Sequence, residues 1–204
     1  MEVIFIKYNK YIMKRLIVLF AFMAIALTSY AQSNAGYLTF KGIPIRGSMA
    51  EFCQKLRTKG YTVIGQDSNK ALLEGDFAGR NANVGVAATN GGRDIFAVVV
   101  FFDSSSEWNT LVSTYGYYKD LYTRKYGDPS VIKEVNPAYS DSNTALMSTL
   151  YEGRVVWGSL WEVPGGEIEL SIESSDVFYE GMVMITYRDS QSEEAKIQSD
   201  LDDI

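Results

Sequence analysis

The sequence predicts an α+β fold: a twisted antiparallel sheet with two main helices packed on one face, which would be two helix-plus-meander units if a short internal echo is a true repeat and not chance similarity. Three observations point there. Two segments carry helical periodicity and helix-end signals, short apolar or alternating segments follow each of them, and turn residues separate those segments at intervals too short for parallel crossovers.

In chain order, Tyr37–Phe40 and Ile43–Ile45 read as short strands. Ser48 with Glu51 three residues later forms a capping box, Met49, Phe52, Cys53 and Leu56 recur at helical spacing, and Gly60 stands where a C-terminal cap belongs. The first helix is therefore expected over Met49–Lys59. Strands are expected at Tyr61–Ile64, Ala71–Ala78, Asn83–Ala88 and Ile95–Phe102, separated by Gln66-Asp67-Ser68-Asn69, Arg80-Asn81 and Asn90-Gly91-Gly92. Ile95–Phe102 is apolar on both alternations, the mark of a central strand.

A longer helix is expected over Glu107–Tyr126, where Trp108, Leu111, Val112, Tyr115, Tyr118 and Tyr122 form one stripe and Gly127-Asp128-Pro129 ends it. A strand at Val131–Val135 follows, then an undecided segment, Tyr139–Leu150, then strands at Val155–Val163, Glu167–Ser174 and Val177–Tyr187. The run LRTKGYTVI (56–64) echoes LYTRKYGDPSVI (121–132), each at the end of a helix. Asp189–Ile204 holds six acidic residues against one lysine and is expected to be mobile or a loosely attached helix.

Residues 1–31 read as a secretory signal peptide. Met13-Lys14-Arg15 is a positive start, Leu16–Leu27 is an apolar run of twelve, and Ser29-Tyr30-Ala31 offers a cleavage site before Gln32. Twelve apolar residues fall short of the roughly 20 that span a hydrocarbon core, so no stable membrane insertion is expected after cleavage. The expectation is a periplasmic or extracellular protein with one α+β domain over 32–188 and an acidic tail over 189–204.

Without that leader the chain keeps 15 basic and 24 acidic residues, net −9. Such a surface repels nucleic acid and favours a neutral or basic partner. The chain has no histidine, which excludes Ser-His-Asp and Cys-His catalysis and His-ligated zinc. Its single cysteine, Cys53, lies on the apolar stripe of the first helix with no activating base, so it reads as core. Asp67-Ser68-Asn69, Asp103–Glu107 and Asp141-Ser142-Asn143 lack the ligand spacing of an EF-hand and read as turns, and no glycine cluster has the form of a phosphate loop. No catalytic residue, metal site or cofactor is expected, and the chain reads as a non-enzyme.

Strand parity singles out a candidate surface. An even loop, either Gly165-Gly166 or Val163–Gly166, places Trp157, Ser159 and Trp161 on one face with Ile168, Leu170 and Ile172, which burial favours over the mixed faces of the odd loop Pro164-Gly165-Gly166. The opposite face then collects Leu160, Glu162, Glu169 and Glu173. An even Ser174-Ser175 turn would add Phe178, Glu180, Met182 and Met184. Methionines and other apolar side chains among carboxylates suit a protein or peptide contact. Two alternatives stand beside it. One is a carbohydrate-directed protein, with some of the 14 tyrosines as stacking platforms and Glu162 or Glu169 as an acid. The other is a structural subunit of a cell-envelope assembly.

FKGIPIRGS (40–48) with Phe52, Leu56, Lys59 and Gly60, and later Trp108, Leu111, Tyr115 and KYGDP (125–129), resembles uncharacterised exported proteins of Bacteroidetes, as does the ending Ser-Tyr-Ala-Gln at 29–32. In topology, a doubled helix-plus-meander resembles beta-lactamase inhibitory protein and small outer-membrane assembly lipoproteins. That likeness implies a fold and carries over no functional residue.

Overall fold

Turn chemistry and alternation organise the chain into ten strands and four helices among the residues described by the computed structural model, which are 36–89 and 91–202. The predicted leader lies outside the described residues. A two-stranded ribbon of β1 (Thr39–Phe40) and β2 (Ile43–Pro44) precedes α1 (Met49–Thr58), then β3 (Thr62–Gln66), β4 (Lys70–Phe77), β5 (Arg80–Ala88) and β6 (Ile95–Phe101). The second half runs α2 (Trp108–Tyr126), β7 (Val131–Val135), α3 (Asn143–Tyr151), β8 (Val156–Val163), β9 (Gly166–Ser174), β10 (Gly181–Asp189) and α4 (Ser190–Asp202).

All pairings are antiparallel, and strands β3 to β10 form one sheet in the order β3-β4-β5-β6-β10-β9-β8-β7. Each half is thus a helix followed by a four-stranded meander. The last strands of the halves, β6 and β10, meet at the centre, and the first, β3 and β7, are the two edges. The echoing segments occupy equivalent places, running from the end of α1 into β3 and from the end of α2 into β7. α3 is inserted only in the second half.

Local chemistry sets the helix ends. Ser48 Oγ accepts from Glu51 N–H at 3.4 Å, and α1 closes in a Schellman motif, with Tyr61 N–H on Leu56 C=O (3.2 Å) and Gly60 N–H on Arg57 C=O (3.1 Å). Gly60 adopts φ +92°, which a side chain disfavours. The undecided segment forms α3 because Ser142 Oγ accepts from Ala145 N–H at 3.3 Å and Ala145, Met147 and Leu150 are buried.

The helices α1 to α3 cover one sheet face, where Leu73, Val84, Val100, Ile185, Leu170 and Trp161 are all at most 1% exposed. The even loop parity holds. Val163 pairs with Gly166, so the two-residue turn is Pro164-Gly165, a Pro-Gly order suited to type II geometry, with Gly165 at φ +90°. Trp161 then faces Ile168 and lies in the core, its Nε1–H bonded to Gly127 C=O at 3.0 Å. Cys53 is buried, as expected.

One expectation is corrected, and one open alternative is decided. The β9–β10 connection is not a Ser174-Ser175 turn. Ser174 pairs with Gly181, and the six residues between form a loop closed by Ser175 N–H on Glu180 C=O (2.9 Å) and Glu180 N–H on Val177 C=O (3.1 Å), with Tyr179 at φ +57°. β10 therefore starts four residues later than predicted. The acidic tail is helical over Ser190–Asp202, anchored where Asp189, fully buried, accepts from Leu38 N–H (2.7 Å), Ser192 N–H (3.0 Å) and Gln191 N–H (3.2 Å).

Candidate functional site

The face away from α1–α3 is the candidate surface, and its register can be followed across strands. One row runs Val131, Leu160, Glu169, Thr186, Val99; the next runs Lys133, Gly158, Ser171, Met184, Phe101; Val135 pairs with Val156, and Met182 with Glu173. Of the eight predicted residues, Leu160, Glu162, Glu169, Glu173, Met182 and Met184 share this face. Phe178 and Glu180 do not. They sit in the β9–β10 loop, where Phe178 packs against Tyr151 and Tyr179 (ring centroids 4.8 and 4.3 Å) and Glu180 accepts from the Ser104 hydroxyl.

Exposure redistributes the apolar patch. Met182 is buried at 8%, and Met184 and Leu160 are half-buried. The exposed apolar side chains gather at the β7 margin, where Val131 (53%), Val135 (49%) and Val156 (46%) flank Leu160 on this face and Ile132 (52%) lies on the other. All five residues of β7 are exposed, and among the described residues β7 pairs only with β8. The opposite edge, β3, has a register break between Val63 and Gly65, a feature that discourages further strand pairing, whereas the β7–β8 register is unbroken. Val131 and Val135 could have been found by alternation in VIKEV.

The glutamates are partly committed. Arg188 Nη1 and Nη2 bind Glu167 Oε1 at 2.8 Å and Glu169 Oε2 at 2.7 Å. Burial pulls the Arg188 guanidinium down, but Glu169 and Glu167 outweigh it and hold it above its ordinary range. Parity from Thr186 leads directly to Arg188, one step past the predicted strand end. α4 packs against β6, β10 and β9 beside this corner. There, burial pushes the Glu193 carboxyl up against the pull of Arg188, and Lys196 Nζ lies 5.5 Å from the Phe96 ring centre.

A hollow of about 510 Å³ opens between the start of α2, the approach to α3 and the β7–β8 margin. Its apolar lining is Trp108, Trp157, Val135 and Leu146, and its polar lining is Asn109, Glu134, Asn136 and Asp141. Trp157 meets Trp108 edge-on (5.1 Å, 87°), and its buried Nε1–H finds no acceptor among the described residues. Tyr115 Oη bonds Ser159 Oγ (2.7 Å) and Glu134 Oε1 (3.0 Å), and Lys119 Nζ reaches the same Glu134 oxygen at 2.5 Å. Above all burial, with help from Glu134, holds the Tyr115 phenol well above its usual value. Asn143 stiffens the rim by accepting from Trp108 N–H (2.8 Å) and donating to Ser106 C=O (2.9 Å).

Parity had placed Trp157 under the helices. It is half-buried there and lines this hollow one strand in from the β7 edge, a placement that pairing parity does not convey. A second hollow of about 450 Å³ lies at Arg80, Phe102, Asp103 and Thr114, with Arg80 already on Thr114 Oγ1 (3.4 Å) and the Tyr117 ring (5.3 Å). Neither hollow includes Glu162, Glu169 or Glu173. Among the described residues no cluster of three or more metal-binding side chains occurs, and no helix is long and apolar enough to cross a membrane.

In comparisons with protein families, curated proteins and solved structures, nothing matches this chain at a significant level.

Proposed function

We propose that the chain is an exported binding module that takes an extended, neutral or basic peptide segment of a partner protein along β7. The observation that carries this reading is the β7 edge itself: unbroken in register, exposed at all five residues and unpaired on its outer side among the described residues. A strand added there gains main-chain hydrogen bonds, and alternate side chains meet Val131, Leu160, Val135 and Val156. Charge complementarity supports a neutral or basic occupant, because Glu162, Glu167, Glu169 and Glu173 stand on this face of β8 and β9, where the neighbouring cations are Lys133 and Arg188, the latter already bound to Glu167 and Glu169. Recognition is favoured over catalysis. The chain has no histidine, and burial pushes the Cys53 thiol up despite nearby Arg57.

The test is selection of extended peptides from a displayed random library, with affinities read by fluorescence anisotropy and contacts by amide hydrogen exchange. The expected result is protection of Val131–Val135 and at least tenfold weaker binding in a Val131→Glu, Leu160→Glu variant that unfolds at an unchanged temperature. Binders indifferent to both substitutions would sink the proposal. So would sedimentation showing β7 already occupied by a second copy of the chain.

A further inference from the structure

Resting on that reading, we infer that the hollow beside β7 is the specificity pocket of the edge and receives an arginine side chain of the docked peptide. The hollow is built from the strand that would do the docking, since Glu134, Val135 and Asn136 line it directly. In an added strand, side chains alternate between faces with period two, so every second one points toward the helix side. On β7 the residues facing that side are Ile132 and Glu134, the latter opposite Trp157. A peptide side chain alongside Glu134 therefore projects under the start of α2, into the space bounded by Trp108 and Trp157.

The lining matches one side-chain chemistry. Indole and leucine surfaces accept an aliphatic stem, and a guanidinium stacks on an indole more favourably than other cationic groups do. At the mouth, Asp141 is exposed and its carboxylate makes no hydrogen bond or ion pair among the described residues, and the Asn109 amide is likewise uncommitted. Glu134 spends one oxygen, Oε1, on Tyr115 and Lys119, and Oε2 makes no hydrogen bond among the described residues. Lys119 offsets the charge of Glu134, so Asp141 supplies the net negative charge. A planar donor fork reaches a carboxylate and an amide together, which a point-charge ammonium does less well. An acidic side chain would meet two carboxylates, and a purely apolar one would leave Asp141 and Asn109 unused. A volume of about 510 Å³ lies within the roughly 300–1,000 Å³ of small-ligand sites, and holds a full arginine with water around its head.

The experiment uses the peptides selected against the protein. Each arginine is replaced singly by citrulline, which keeps shape and loses charge, and by lysine. Dissociation constants are measured on the wild type and on an Asp141→Asn, Glu134→Gln variant, and the Trp157 indole N–H resonance is followed by NMR. At one arginine position, citrulline is expected to weaken binding about tenfold and lysine by less. The doubly neutralised variant should show less than a twofold difference between arginine and citrulline peptides. The Trp157 resonance should shift with the arginine peptide and stay in place with an alanine one. Peptides that depend on Val131 and Leu160 yet tolerate citrulline everywhere would overturn this inference and leave the docking edge standing. Absence of any β7-dependent peptide would overturn both.

Discussion

Replacing Asp189 by alanine removes one carboxylate and strands three backbone donors. Asp189 is fully buried at the junction of β10 and α4, and it accepts from Leu38, Gln191 and Ser192 N–H at 2.7, 3.2 and 3.0 Å. The Leu38 and Ser192 bonds are buried, and the Gln191 bond is partly so. An unsatisfied buried donor costs about 1–3 kcal/mol. The two buried donors therefore set a loss of about 2–6 kcal/mol, with a smaller share from Gln191, which water can reach. Against a total stability of roughly 5–15 kcal/mol for an ordinary domain, that is a large fraction. Asp189→Asn keeps one acceptor oxygen but turns an NH₂ group toward one of the donors, so it should lose about half as much. Urea unfolding at pH 7, followed by tryptophan fluorescence, measures both. A loss below about 1 kcal/mol for Asp189→Ala would refute the premise that this carboxylate ties α4 and the segment before β1 to the sheet.

Neutralising Glu167 and Glu169 together as glutamines leaves the nearly buried Arg188 guanidinium uncompensated. The cost should be about 2 kcal/mol, below the roughly 3–5 kcal/mol of a fully buried pair because the two carboxylates are 21% and 18% exposed. Arg188→Met should cost less than that double variant, and equal losses in urea titrations would contradict the account. Burial pushes the Tyr61 and Tyr118 phenols up to about 12, and Tyr115, Tyr122 and Tyr187 higher still. Raised folded-state values contribute stability that is fully present below the unfolded value near 10 and lost as pH rises toward the folded values. Stability should thus fall above pH 10, with these phenols silent at 295 nm until the chain unfolds. A single reversible ionisation of all tyrosines near pH 10 with the fold intact would disprove it.

Element type was legible wherever local chemistry and periodicity agreed. The capping box at Ser48 and Glu51, the Gly60 cap and the doubly apolar Ile95–Phe101 all became what their patterns predict. The parity of the loop before Glu167 located Trp161 in the core and Leu160, Glu162, Glu169 and Glu173 on the other face, and Met182 and Met184 join them because the six-residue loop that replaces the expected Ser174-Ser175 turn is also even. Phe178 and Glu180 left that face because Tyr179 takes a left-handed backbone and Ser175 closes a six-residue loop, choices that apolar alternation does not encode. The segment before α3 read only as a turn. Its part in a pocket rim depends on Asn143 reaching back to Trp108 and Ser106, more than thirty residues earlier.

By itself the sequence determined the α+β class, the strand faces and the exclusion of histidine chemistry, since these follow from periodicity, loop parity and composition. Only the tertiary structure decided which strands are edges. The order β3 to β6 and then β10 back to β7 leaves β7 bare, spends Arg188 on two glutamates and opens the hollow at Trp157. Edges and hollows arise from how two meanders meet, and that meeting is set by packing between residues distant in the chain.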